Sequence, residues 1–136
     1  MGAITCLNED TNNRIEISFS DVHGPNKAVT FEETDMFSRA ALSEYGAAFT
    51  SDVGGSEGVN SFDDATNQVP AVLLYKAFHS SAKGLQANET FRYSLPSGEG
   101  VQAVACGRGF VAVATSKGLL RIFSTTGEFV CGFVCE

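Results

Sequence analysis

Short apolar runs, separated by turn-forming residues, recur along the whole chain and are typical of β-strands. Nowhere do apolar side chains keep helical spacing for three turns, so the pattern predicts an all-β fold. It predicts eleven strands: Ala3–Leu7, Arg14–Ser20, Ala28–Phe31, Ser38–Leu42, Gly46–Thr50, Val69–Phe78, Thr90–Leu95, Val101–Cys106, Phe110–Ser116, Leu119–Ser124 and Phe129–Val134.

Two segments allow a second interpretation. The run from Met36 to Glu44 is rich in Met, Ala, Leu and Glu, which favour helix, so a helix is the alternative to a strand there. Residues 51–68 are rich in Gly, Ser, Asp and Asn and predict a long exposed loop. Its Gly54-Gly55 pair is not followed by the Lys-Ser or Lys-Thr of a phosphate-binding loop, which favours an insertion between strands.

The last four predicted strands follow one another with gaps of two to four residues, which only antiparallel hairpins can span. Residues 101–134 are therefore predicted to form a four-stranded meander. Residues 110–114 and 119–123 are apolar at almost every position and do not alternate, which indicates a sheet covered on both faces. A β-sandwich covers one face of each sheet, whereas stacked propeller blades cover both. The predicted buried side chains are Val104, Val111, Val113, Leu120, Ile122 and Phe123.

The charge balance argues against some ligands. Sixteen acidic and nine basic residues give a net charge of −7, and no basic cluster is present, so duplex DNA is not an expected ligand of this segment. The longest apolar stretches, such as residues 70–75, are far shorter than the roughly 20 residues needed to cross a bilayer. The first residues, MGAITC, lack a basic region and an apolar region of a secretory signal, which predicts an intracellular protein.

No catalytic constellation is recognisable. His23 and His79 have no triad partners nearby, and the nucleophile-elbow, phosphate-loop and zinc-hydrolase motifs are missing. The acid pairs 9–10, 32–33 and 63–64 fall in strands or turns, where neighbouring side chains diverge or are solvated. Cys6, Cys106, Cys131 and Cys135 lack Cys-x-x-Cys spacing, so we predict reduced, largely buried thiols. The sequence predicts no enzyme activity, no cofactor and no metal.

One stretch carries a family resemblance. Residues 101–124, VQAVACGRGFVAVATSKGLLRIFS, resemble a blade of the middle propeller in the chromosome transmission fidelity/minichromosome loss family, called WD-repeat and HMG-box DNA-binding protein in animals. Residues 14–21 resemble the opening strand of that propeller, and residues 90–96 the strand before the signature blade. Phe110 stands where the family resemblance leads us to expect Trp. The structural signature residues are Val101, Gly107, Gly109, Phe110, Val113, Thr115, Gly118, Leu120, Arg121, Ile122 and Phe123.

The resemblance implies a nuclear scaffold of DNA replication that forms a homotrimer and connects the replicative helicase to DNA polymerase α–primase. The alternative is a propeller fragment of an unrelated WD-repeat adaptor outside replication. At roughly 40–45 residues a blade, residues 1–136 correspond to about three blades, while closed propellers use four to eight. We therefore expect a partial propeller belonging to a larger protein, which alone is poorly soluble or oligomeric.

Overall fold

The computed structural model describes residues 2–8, 12–21, 23, 28–54, 69–78 and 90–135. Within these residues the chain forms eleven strands and no helix. All eleven predicted strands are confirmed, including a strand where Met36–Glu44 allowed a helix. The strands are β1 (Gly2–Asn8), β2 (Asn13–Phe19), β3 (Val29–Glu33), β4 (Phe37–Leu42), β5 (Gly46–Ser51), β6 (Val72–Ala77), β7 (Thr90–Ser94), β8 (Val101–Gly107), β9 (Phe110–Thr115), β10 (Leu119–Ser124) and β11 (Phe129–Val134).

The strands form three antiparallel sheets in which every strand pairs with its sequence neighbour. The first sheet contains β1 to β3, the second β4 to β7 and the third β8 to β11. The tight turns of the third sheet depend on glycine: Gly109 and Gly118 have φ angles of +82° and +72°, a region that other residues rarely adopt. The predicted meander over residues 101–134 is therefore present.

The core lies between the sheets, in two layers. One layer joins Ile15 and Ile17 of the first sheet to Phe49 of the second. The other joins Tyr75 of the second sheet to Phe123 of the third. Every residue of β5 is buried, because its alternating side chains enter one layer or the other. The second sheet is thus covered on both faces, as expected of an inner propeller blade.

The third sheet departs from the prediction of two covered faces. Val111, Val113 and Phe123 are buried, at 0 to 1% exposure, whereas the other three predicted core residues are only half-buried. Those three are Val104, Leu120 and Ile122. Leu120 and Ile122 lie on the face that points away from the second sheet, and no further sheet follows among the described residues. One covering layer is missing there.

Two further expectations have mixed outcomes. Ser51 belongs to β5 and Gly54 forms a bridge with Val69, so the predicted loop over 51–68 begins later than expected. Residues 55–68 lie outside the described part, and the loop there stays a prediction. All four thiols are free. The expectation that they are largely buried is wrong for Cys6 and Cys135, which are exposed.

Candidate interaction surface

The uncovered face of the third sheet, here called the outer face, carries mainly apolar side chains. Residues that pair across antiparallel strands point to the same face of the sheet. Two such rows cross all four strands, and their register defines the outer face. The first row is Ala103, Ala114, Leu120 and Phe133, and the second is Ala105, Ala112, Ile122 and Cys131.

The outer face is accessible to solvent. Ala103 and Ala105 are exposed, Phe133 is 53% exposed, and Leu120 and Ile122 are half-buried. Phe129, Val130 and Val134 of β11 are exposed as well, but Phe129 and Val134 pair with Phe123 and Leu119 and so lie on the other face of the sheet. An apolar sheet face of this kind is suited to packing against a further apolar surface, such as the next blade of a propeller or another protein.

The opposite end of the stack has a different chemistry. Ile15 and Ile17 point into the core, so their neighbours in β2 point to the free face of the first sheet. This free face carries Ala3, Thr5, Leu7, Arg14, Glu16, Ser18, Thr30 and Glu32. Arg14 and Glu16 form an exposed ion pair there, with Nε 3.4 Å from Oε1. The free face of the first sheet is polar, and the outer face of the third is not.

A buried ion pair holds the inner side of the third sheet. Glu99 lies in the connection from β7 to β8 and is 2% exposed. Arg121 of β10 donates from Nε to Glu99 Oε1 at 2.6 Å and from Nη2 to Oε2 at 2.9 Å. These hydrogen bonds hold the pKa of the Glu99 carboxyl below its ordinary value and raise the pKa of Arg121. Arg121 of the signature therefore fixes the connection that leads into the third sheet.

The remaining signature residues have structural positions in or beside this sheet. A Cβ atom at Gly107 would lie 2.6 Å from the far end of the Phe110 ring, so a larger residue there would displace that ring. Thr115 is buried, and its Oγ1 accepts a hydrogen bond from the Leu119 amide at 3.4 Å. Phe110 itself is 42% exposed. Whether these residues are a family signature stays a prediction.

The chemistry-bearing residues are dispersed. His23 is exposed, and its amide donates to Asp21 Oδ1 at 3.0 Å; His79 and the acid pairs 9–10 and 63–64 lie outside the described residues. Among the residues that the structure describes, no three His, Cys, Asp or Glu side chains are grouped as metal ligands. The same part of the chain has no helix long and apolar enough to span a membrane.

Two ion-paired residues escaped the sequence interpretation. Arg92 of β7 binds Glu33 Oε2 at 2.6 Å and also pairs with Asp35, so the last strands of the first and second sheets are tied together. Glu99 was not distinguished from other acids in turns. Its ion-pair partner is an arginine more than twenty residues later in the chain, and no sequence spacing predicts such a pair.

Comparison with known proteins decides the family. The protein-family model that describes the middle region of the minichromosome loss protein Mcl1 matches residues 1–131 of this chain. The chain belongs to this family. Over 127 residues it is 32% identical to the protein ENHANCER OF LHP1 1 of Arabidopsis thaliana and 28% identical to the WD repeat and HMG-box DNA-binding protein 1 of Xenopus laevis. Each match covers 93% of this chain, but only 12% and 10% of those relatives.

The family membership confirms the resemblance carried by residues 101–124, and the fold is a partial β-propeller of three antiparallel sheets. It also removes the alternative of an adaptor unrelated to this family. One of these relatives is named as a WD-repeat protein, in keeping with the propeller-like stacking of the three sheets.

Proposed function

We propose that this chain is a non-catalytic scaffold module of the DNA replication machinery in the nucleus. In this role it connects the replicative helicase to DNA polymerase α–primase and assembles as a homotrimer. The family membership supports the replication role. The observation that carries the binding role is the outer face, where two cross-strand rows contain no charged side chain.

The outer face fits a protein partner better than a nucleic acid. Its atoms are apolar, and burial of apolar area drives protein association. Phosphate binding requires Lys and Arg clusters, whereas this chain carries a net charge of −7. Direct contact of this segment with nucleic acid is accordingly not part of the proposed function.

The test compares two lysine substitutions in the complete chain. Leu120→Lys places a charge in the centre of the outer face, and Thr30→Lys places the same charge on the polar free face of the first sheet as the matched control. Binding to purified DNA polymerase α–primase is measured by calorimetry. We expect Leu120→Lys to weaken binding at least tenfold, about 1.4 kcal/mol, because a charge must be desolvated without a partner. Thr30→Lys should bind like the wild type.

Two outcomes contradict the proposal. One is equal affinity of the wild type and Leu120→Lys, which would place binding elsewhere on the chain. The other is no binding of polymerase α–primase by the wild-type chain. Circular dichroism of both variants checks that each keeps the strand content of the wild type, so that a lost fold is not mistaken for a lost interface.

A further inference from the structure

The contact between the first and second sheets, here called the first seam, is made by side chains. Each sheet is built from consecutive strands, so no strand of the first sheet pairs with a strand of the second. Among the described residues, no backbone hydrogen bond joins these two sheets either. Their covalent link is the connection from β3 to β4, residues 34–36. The first sheet can therefore separate from the second without breaking any strand pairing.

The two sides of the first seam are held differently. On the β1 side, a groove of about 330 Å³ separates β1 from β4, and Gly2, Ile4 and Cys6 line it from β1. On the β3 side, cations of the second sheet hold β3. The Lys76 ammonium of β6 lies over the ring of Phe31, 4.3 Å from its centroid, which is an attractive arrangement. The first seam is thus open along β1 and held along β3.

Arg92 of β7 is the polar centre of the held side. Its Nη2 donates to Glu33 Oε2 of β3 at 2.6 Å, and its Nη1 donates to the Asp35 carboxylate in the connection. The Asp35 carbonyl accepts a further hydrogen bond from Asn13 Nδ2 of β2 at 2.9 Å. The side chains of Arg92, Glu33 and Asp35 are 42%, 20% and 31% exposed, so dissolved salt screens their attraction.

The contact between the second and third sheets, here called the second seam, has no comparable opening along its first strand. There β8 packs directly on β4 and β5. Cys106 of β8 donates from Sγ to the Ala41 carbonyl of β4 at 3.5 Å. The second seam is therefore closed on the side where the first seam has its groove, and we expect the first seam to open more readily.

Neighbouring residues of β5 report on the two seams separately. Ala47 lies in the apolar layer of the first seam, beside Ile15 and Ile17 of the first sheet. Ala48 lies in the layer of the second seam. Both alanines are completely buried. Opening of one seam therefore exposes one alanine and leaves the other covered.

We propose that the first sheet opens from the second as a unit, about the connection 34–36, and that Arg92 is the latch that holds it closed. Cooperative units of this kind open at a lower free energy than global unfolding requires. The latch consists of partly exposed charges, so ionic strength controls it: salt loosens the latch and favours the open state. The open state uncovers the apolar layer around Ala47. The proposal does not rest on the binding role of the outer face.

The test places one new thiol in each seam of the complete chain. Ala47→Cys and Ala48→Cys each add a small buried thiol, whose modification by a thiol reagent under native conditions is measured by mass spectrometry of its peptide. We expect the new thiol of Ala47→Cys to react at least about tenfold faster than that of Ala48→Cys. Raising the salt concentration from about 0.01 M to about 1 M shortens the screening length from about 30 Å to about 3 Å. This change should accelerate only the Ala47→Cys reaction.

A matched pair of variants identifies the latch. Arg92→Gln, combined with Ala47→Cys, should accelerate the reaction and abolish its salt dependence, because the attraction that salt screens is gone. Arg14→Gln removes the exposed ion pair with Glu16 inside the first sheet and should leave both the rate and its salt dependence unchanged. In the Ala48→Cys chain, Arg92→Gln should have no effect on the rate.

Hydrogen exchange of the chain without added thiols gives a second measurement, which does not depend on the alanine substitutions. Arg92→Gln should accelerate amide exchange in β1 to β3, because the opened sheet loses the layer on which it packs, and should leave β8 to β11 unchanged. Circular dichroism checks that every variant keeps the strand content of the wild type.

Four outcomes overturn the proposal. Equal rates for the two new thiols show that the seams open together. Equal acceleration of both thiols by Arg92→Gln shows a general loss of stability, and no acceleration at Ala47→Cys shows that Arg92 is not a latch. Salt dependence that persists in Arg92→Gln shows that other charges hold the seam. None of these results changes the affinity comparison between Leu120→Lys and Thr30→Lys, so the two proposals fail separately.

Discussion

Removing the charge of Glu99 should destabilise the chain strongly, although this residue lies outside the strands. Glu99→Gln keeps the shape of the side chain but leaves Arg121 without its carboxylate. Loss of one partner of a buried ion pair typically costs about 3–5 kcal/mol. The Arg121 side chain retains 17% exposure, so water compensates part of the loss. We expect a decrease of about 3 kcal/mol in the free energy of unfolding.

A double-mutant cycle separates the pair from its surroundings. Arg121→Met should also be strongly destabilising, since it leaves the Glu99 carboxylate buried and unpaired. Glu99→Gln combined with Arg121→Met removes both charges and should cost less than the two single changes added together, because no unpaired charge remains. The free energies are measured by urea unfolding, followed by circular dichroism at pH 7.

The pH dependence provides an independent reading of the same pair. The pKa of Glu99 is lowered in the folded chain, mainly by the hydrogen bonds from Arg121, so folding favours its ionised form. The resulting stability is complete above the unfolded pKa of about 4.3 and is lost as the pH falls through the folded pKa. Glu99→Gln should therefore lose less stability than the wild type between about pH 5 and pH 2. A cost below about 0.5 kcal/mol at pH 7, or an unchanged pH profile, would refute the reasoning.

Three further predictions concern packing, turns and thiols. Phe123→Ala should lower the free energy of unfolding, measured in urea, by about 3–5 kcal/mol, since Phe123 is 1% exposed. Ile122→Ala on the outer face should lower it by less than about 1.5 kcal/mol. Equal costs would contradict the assignment of the two faces. Gly127→Ala should lower the melting temperature more than Gly98→Ala, because both glycines have positive φ but only at Gly127 would a Cβ lie 2.9 Å from Phe91. All four thiols should react after denaturation without a reducing agent, with the two exposed thiols reacting first in the native chain, and fewer than four reactive groups would reveal a disulfide or a bound metal.

The strands and turns were predictable because their signals are local. β5 and β6 could be located from Gly46–Thr50 and Val69–Phe78, and Gly118 marks a turn whose positive φ suits glycine. Whether a neighbouring sheet covers one face of a strand cannot be predicted from that strand's own residues. Leu120 and Ile122 look like core residues in the sequence, and they are only half-buried because burial depends on a neighbouring sheet that their own strand does not specify.

The polar contacts could not be predicted from the sequence for the same reason. Glu99 resembles any turn acid, since the arginine that neutralises it comes from β10. The ion pairs of Arg92 join residues 59 and 57 positions apart in the chain. The three-stranded first sheet was equally hidden, because β1 is no less strand-like in composition than β4. The difference in strand number becomes visible only when the sheets are compared in three dimensions.

The two ends of the stack do not require the same surroundings. The free face of the first sheet carries Arg14, Glu16 and Glu32, which remain hydrated, so this end is compatible with water. The outer face of the third sheet has no charged residue in its two rows and leaves half of Phe133 exposed. A head-to-tail stack of two copies would press the polar face onto the apolar one and desolvate charges without partners, which is costly. The outer face is therefore better matched by an apolar surface of another protein or domain than by the first sheet of a second copy.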